Sequence, residues 1–112
     1  MRGWIGVDLD GTLARYHIGQ SACIGEPVAP MIARVKRWLS QGYNVRIFTA
    51  RVSGSDPQAA IAAIREWCLR HVGQELPVTN VKDFEMLELW DDRAVQVGQN
   101  TGEPLGSYFT RV

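Results

Sequence analysis

The stretch Trp4-Ile5-Gly6-Val7-Asp8-Leu9-Asp10-Gly11-Thr12-Leu13 constrains this chain most: an apolar run that ends in two carboxylates and a glycine turn. A strand of Ile and Val with so little polar interruption is covered on both faces, as strands are in the parallel sheets of α/β domains. Open sheets of that kind bind ligands at the carboxyl ends of their strands, so Asp8 and Asp10 are expected at a binding edge. Acids at i and i+2 repel unless a cation sits between them. Magnesium, which takes one or two carboxylates together with phosphate oxygens, suits the pair. Gly11 permits a tight backbone departure directly after the acids. Many Asp-x-Asp-Gly sequences are no more than turns. With Thr12 added the pattern has four fixed positions, which a chain this short would show by chance on the order of once in a thousand sequences.

Beyond Leu13, residues 14–26 lack a helical period and are expected to form a turn and a small hairpin or flap. Pro27 and Pro30 suit a helix start, with Val28, Ile32, Val35 and Leu39 at helical spacing and Gly42 as the stop. Residues 45–48 read as the second strand, closed by Thr49-Ala50-Arg51. Asp56-Pro57 is an N-cap followed by a first-turn proline, and Ile61, Ile64, Cys68 and Val72 mark one face of a second helix that ends at Gly73. Strands are expected at 77–81, leading to Lys82, at 86–90, running into Asp91-Asp92, and at 94–97, with an aperiodic tail after Gly98. Strands alternating with helices imply an α/β, doubly wound, mostly parallel sheet. Asp8, Asp10, Thr49, Lys82, Asp91 and Asp92 then all fall at or just past strand ends, on one edge.

The 112 residues fit a single domain, 1–112, with a real core but no second domain of its own. Twelve basic residues balance twelve acidic ones, so there is no strong nucleic-acid signal and no field toward an anionic membrane. Cys23 and Cys68 are too far apart for a Cys-x-x-Cys motif and read as reduced thiols, Cys68 in the core. Met1-Arg2 enters the first strand without a signal-like apolar region, and no run approaches the roughly twenty apolar residues of a membrane span. A cytoplasmic protein with no membrane partner is expected. His17 and His71 are not expected to be ligands, and the four Trp residues read as packing groups.

Asp8-Leu9-Asp10-Gly11-Thr12, Thr49 after a hydrophobic strand, Lys82 and Asp91-Asp92 resemble, in that order, the four motifs of the haloacid dehalogenase superfamily of phosphotransferases. The resemblance covers most of the chain and is nearest to small, phage-type hydrolases, through Arg46-Ile47-Phe48-Thr49-Ala50-Arg51 and Leu89-Trp90-Asp91-Asp92-Arg93. It implies a HAD-like Rossmannoid fold and a magnesium-dependent phosphomonoester hydrolase with Asp8 as nucleophile and Asp10 as acid and base. Thr49 and Lys82 would bind the phosphoryl group, and Asp8, Asp10, Asp91 and Asp92 would serve the metal, Asp10 through its backbone carbonyl. Too few residues separate Lys82 from Asp91 for the helix that usually follows the lysine, so Arg51 or Arg93 could share its work. The family's cap is also missing, leaving residues 16–25 as the cover, with Gly19 and Gly25 as hinges. The expected partner is a small-molecule phosphate ester of nucleotide size or smaller, with a homo-oligomer as another way to close the crevice. The alternatives are a phosphate-binding or receiver-like module, which motif order disfavours, and a degenerate family member kept for interaction, which the full set of acids disfavours.

Overall fold

A computed structural model describes residues 3–17 and 23–106. In chain order it contains β1 (Trp4–Asp8), α1 (Ala29–Ser40), β2 (Val45–Phe48), a 3-10 turn (Ala50–Ser53), α2 (Pro57–His71), β3 (Val78–Thr79) and β4 (Met86–Trp90). All strand pairs are parallel, in the order β3-β2-β1-β4. The protein is thus a single Rossmann-like α/β domain, as the alternation of strands and helices implied. The sheet order turns back at β1, whose neighbours are β2 on one side and β4 on the other. This is the kind of switch point where an edge crevice opens.

Alternation along the strands explains the core. Ile5 and Val7 of β1 register with Val45 and Ile47 of β2, and these four residues form one buried cluster with Met31, Ile32 and Val35 of α1 and Ile64, Trp67 and Cys68 of α2. Both helices end at the glycines expected from the sequence, and α2 begins at its expected cap. Pro30 stands in the first turn of α1, and Gly42 follows it at φ 88°. Asp56 caps α2 by accepting from the Ala59 N–H at 3.1 Å, and Gly73 follows at φ 100°.

Trp4, Gly6 and Asp8 alternate to the opposite face. Trp4 is only 1% exposed there. Its indole N–H donates to Asp83 at 2.9 Å, and the Arg46 guanidinium stacks 4.5 Å from the ring centroid. Asp83 belongs to residues 80–85, which carry the chain from the end of β3 back to the start of β4. Glu85 anchors that crossover by accepting from the Trp4 backbone N–H at 3.0 Å.

Three expectations change in detail. β3 is shorter than residues 77–81: after Thr79 the chain leaves the sheet, and the Val81 N–H turns back to the Thr79 hydroxyl at 3.0 Å. Residues 94–97 do not form a fifth strand. Val97 instead bridges Pro104, with Gly98 N–H to Glu103 O at 2.9 Å and Leu105 N–H to Gln96 O at 2.8 Å. Val95 and Val97 are exposed and have no core to enter, so pairing across a short local loop satisfies this backbone at low closure entropy. Pro27 does not open α1. It pairs with Ala14 at the neck of the 15–26 excursion, flanked by Arg15 N–H to Glu26 O and Val28 N–H to Leu13 O, both 2.8 Å. The Trp67 indole holds the return arm by donating to Gly25 O at 3.0 Å. The neck of the expected flap is therefore built, while Gly19 lies outside the described residues.

Trp4→Ala should cost about 3–5 kcal/mol, the ordinary range for emptying a buried tryptophan site. Because Trp4 also secures the crossover that leads into β4, urea unfolding should show the loss as a lower midpoint.

Candidate functional site

Strand register assembles the site. Asp8 pairs with Phe48, and Phe48 with Thr79, so the next residues, Thr49 and Asn80, step together past the edge; the Thr49 N–H donates to Thr79 O at 3.0 Å. On the other side Val7 registers with Trp90, which brings Asp91 beside Asp8. A register shift between Trp4 and Ile5 puts one extra residue of β4 into the ladder and sets this alignment. The resulting cavity, about 490 Å³, is lined by Asp8, Asp10, Thr49, Asn80, Asp91, Asp92 and Arg93, with Tyr16 at the flap side.

One carboxylate oxygen from each of Asp8, Asp91 and Asp92 lies within 4.8 Å of the other two. Carboxylate oxygens are the hard donors a small divalent cation takes, and from this spread they would have to draw in to the roughly 3–4 Å of an octahedral shell. Burial first, then the charge of Asp91, a hydrogen bond with Asp92 and the charges of Asp92 and Asp10, push Asp8 from the ordinary 3.8 up to about 7. Mutual repulsion of this kind is what a bound cation relieves.

Gly11 and Thr12 hold the cluster together. The Thr12 hydroxyl lies 3.4 Å from Asp8 Oδ2 and 3.3 Å from Asp92 Oδ1, and accepts from the Asp92 N–H at 3.1 Å. Gly11, at φ 91°, leaves room for Asp92: a Cβ there would stand 2.5 Å from its Oδ2. The local turn is closed by Leu13 N–H to Leu9 O at 3.0 Å and Gly11 N–H to Ala14 O at 2.8 Å. Both motif residues thus act on Asp92, which is 80 positions from Thr12.

Asp10 stands apart from the three-acid cluster. Its two oxygens accept from Arg51 Nε at 2.7 Å and Nη2 at 2.8 Å, and the same guanidinium reaches Cys23 O on the flap's return arm at 3.3 Å. Its side chain is therefore oriented by Arg51. Thr49 is buried at 2% exposure, and its hydroxyl accepts from the Arg51 N–H at 3.1 Å. Lys82 is not brought into this cavity. It lines an adjoining one of about 750 Å³ along β4, which shares Asp91 with the first. The early end of β3 is the reason, since it puts Asn80 at the edge where residue 82 was expected.

Sequence reasoning missed Asn80 and the Arg51–Asp10 pair. The first was legible only if β3 was known to stop at Thr79, and the second had no local signal across 41 positions. The remaining candidates behave as packing groups. His71 lies tilted against Trp67 with ring centroids 4.7 Å apart, and Trp90 meets Trp38 edge-on at 5.2 Å with the Arg34 guanidinium 4.8 Å from its ring. Cys68 is buried, which pushes its thiol up to about 11, and among the described residues it forms no disulfide. No described helix is long and apolar enough to cross a membrane.

No known family model and no curated protein matches the chain. Among solved structures, a conserved protein from Bacteroides thetaiotaomicron is similar, with a TM-score of 0.61 at 24% identity over 85% of this chain and 79% of that one. At that identity the likeness establishes the fold.

The raised Asp8 carboxyl predicts a signed pH dependence. A folded-state value above the unfolded one means that the native state holds the proton more tightly. This stabilisation is fully present below about pH 4 and is lost as pH rises toward about 7. Without magnesium, thermal melts should show wild type losing stability relative to Asp8→Asn across that window. Equal slopes would contradict the crowding of Asp8. Gly11→Ala should displace Asp92 and lower stability by at least about 1–2 kcal/mol, the usual cost of a left-handed residue before the close contact is added, as urea unfolding would show.

Proposed function

We propose that the chain is a magnesium-dependent phosphomonoester hydrolase of the haloacid dehalogenase type, acting through an aspartyl-phosphate on Asp8. The observation that carries this reading is the convergence of Asp8 with Asp91 and Asp92 at one sheet edge, beside Asp10 and Thr49. Magnesium would be held by Asp8, Asp91 and Asp92, with the Asp10 carbonyl assigned by resemblance, and when bound would supply charge neutralisation for the phosphoryl oxygens.

Chemistry by the chain's own groups then runs in two displacements. An ionised Asp8 oxygen attacks phosphorus, the bond to the leaving oxygen breaks, and Asp10 delivers the proton that oxygen takes. Water next attacks the phosphorus of the aspartyl-phosphate, giving its proton to Asp10 and freeing phosphate and the Asp8 carboxylate. Both Asp10 oxygens are bonded to Arg51, so proton exchange requires one of these bonds to lengthen. An incoming phosphoryl group, a competing acceptor for the same guanidinium, supplies the exchange. The Thr49 hydroxyl keeps a hydrogen for a phosphoryl oxygen after accepting from Arg51. Asn80 and Arg93 are the further groups facing the substrate, and Lys82 approaches from beyond Asp91.

Asp8→Asn should lower turnover of p-nitrophenyl phosphate by a thousandfold or more, roughly the scale on which removing a nucleophile acts. Its fold should survive, checked by circular dichroism. Magnesium should raise the wild-type melting temperature, because it binds only the native site, and Asp91→Ala should blunt that rise. Retained hydrolysis by Asp8→Asn would rule out the covalent route. For the phosphoryl-binding cation, Arg93→Ala should depress kcat/KM more than Lys82→Ala does. The opposite order would return that role to Lys82.

A further inference from the structure

We propose that a second cavity beside the first is an anion subsite for the leaving group, so that the preferred substrate is a phosphomonoester carrying a second phosphate or carboxylate. The proposal rests on the hydrolase reading above and adds a substrate class to it. The cavity holds about 500 Å³, and its walls include Arg15, Tyr16, His17 and Arg93. It shares Tyr16, Asp92 and Arg93 with the metal-side cavity, so one molecule can span both.

The balance of charge differs between the two. The first cavity carries Asp8, Asp10, Asp91 and Asp92 against Arg93 alone; the second keeps only Asp92 of these acids and adds Arg15 and His17 to the shared Arg93. Asp92 stands on the shared wall, where the Thr12 hydroxyl and the Asp8–Asp91 cluster hold it to the metal side. Among the described residues, neither Arg15 nor Arg93 is paired with a carboxylate, whereas Arg46, Arg51 and Arg70 are. Guanidinium forks facing a solvent cavity recognise planar or tetrahedral oxyanions by paired N–H donors.

The two arginines are also fixed at their backbones. Arg15 sits at the flap neck, bonded to Glu26 O at 2.8 Å, and Arg93 donates its N–H to Asp91 Oδ1 at 2.9 Å. Their spacing from the acids is therefore set by the sheet and the neck. A neutral leaving group gains nothing from this arrangement. One with a second anion gains contacts that begin at Arg93 and end at Arg15, with Tyr16 alongside.

Binding to Asp8→Asn with magnesium, followed by calorimetry, tests the subsite without requiring turnover. Two matched pairs serve as probes: adenosine 5′-monophosphate against adenosine 3′,5′-bisphosphate, and glycerol 3-phosphate against 3-phosphoglycerate. The member with the second anion should bind about fivefold or more tightly, the upper range for solvent-facing ion pairs. Adding Arg15→Gln should bring the ratio to about one. A preference in the first pair alone assigns a phosphate, in the second alone a carboxylate, and in both a general anion site. A ratio near one in Asp8→Asn, or a preference untouched by Arg15→Gln, overturns the proposal. Should Asp8→Asn not fold, or bind no probe because Asp8 is also a proposed metal ligand, the ratio of kcat/KM within each pair, in wild type and in Arg15→Gln, decides the same question. Turnover tests the hydrolase reading separately. An Arg15-dependent binding preference in a wild-type protein that hydrolyses none of the four leaves the subsite and removes the reaction. Hydrolysis with no preference removes the subsite alone.

Discussion

Parallel pairing of β1 with β4 is the contact on which the site depends. It joins segments about 80 residues apart and, through the register shift at Trp4 and Ile5, sets Asp91 beside Asp8. The pairing works against charge, since three carboxylates brought within 4.8 Å raise one another's free energy. Its opposing support is apolar: Ile5 and Val7 are sealed into the helix-side core, and Trp4 is sealed on the other face under Arg46 and Asp83. Crowded like charges held by a well-packed strand are the arrangement in which a divalent cation has most to gain.

The crossover from β3 to β4 shows how a small chain covers a second sheet face. Six residues make the return, and they do so by hydrogen-bonding rather than by burying a helix: Asp83 receives the Trp4 indole and Glu85 the Trp4 backbone. The indole hydrogen bond is the first cause holding the Asp83 carboxyl below its usual range. This economy has a consequence at the site. With β3 ending at Thr79, an amide, Asn80, occupies the strand-end position, and the lysine two residues later falls on the neighbouring wall.

Arg51 ties three parts of the molecule to one another. Its backbone N–H is received by Thr49 at the end of β2, its guanidinium grips Asp10 after β1, and one of its nitrogens reaches Cys23 O in the flap's return arm. The flap is anchored a second time by Trp67 on α2. In the proposed reaction, groups that meet the substrate and groups that cover it thus share a common mount, so displacement of Arg51 toward a phosphoryl group would be felt in the flap.

The strand that ends in Asp8 and Asp10, the caps at Asp56, Gly42 and Gly73, and the parallel α/β architecture were all legible in the chain, because each follows from local periodicity, turn chemistry or strand alternation. The convergence of Asp8 with Asp91 was legible too, since right-handed crossovers leave all strand ends on one edge. Other features were decided by tertiary structure alone. Strand length depends on which backbone partners are in reach, so the early end of β3, the exchange of Lys82 for Asn80 and the local pairing of Val97 with Pro104 carry no local mark. The Arg51–Asp10 pair and the bridging of Thr12 to Asp92 join residues 41 and 80 positions apart. Nothing in a sequence ties one polar side chain to another at that separation until the sheet brings them within hydrogen-bonding distance.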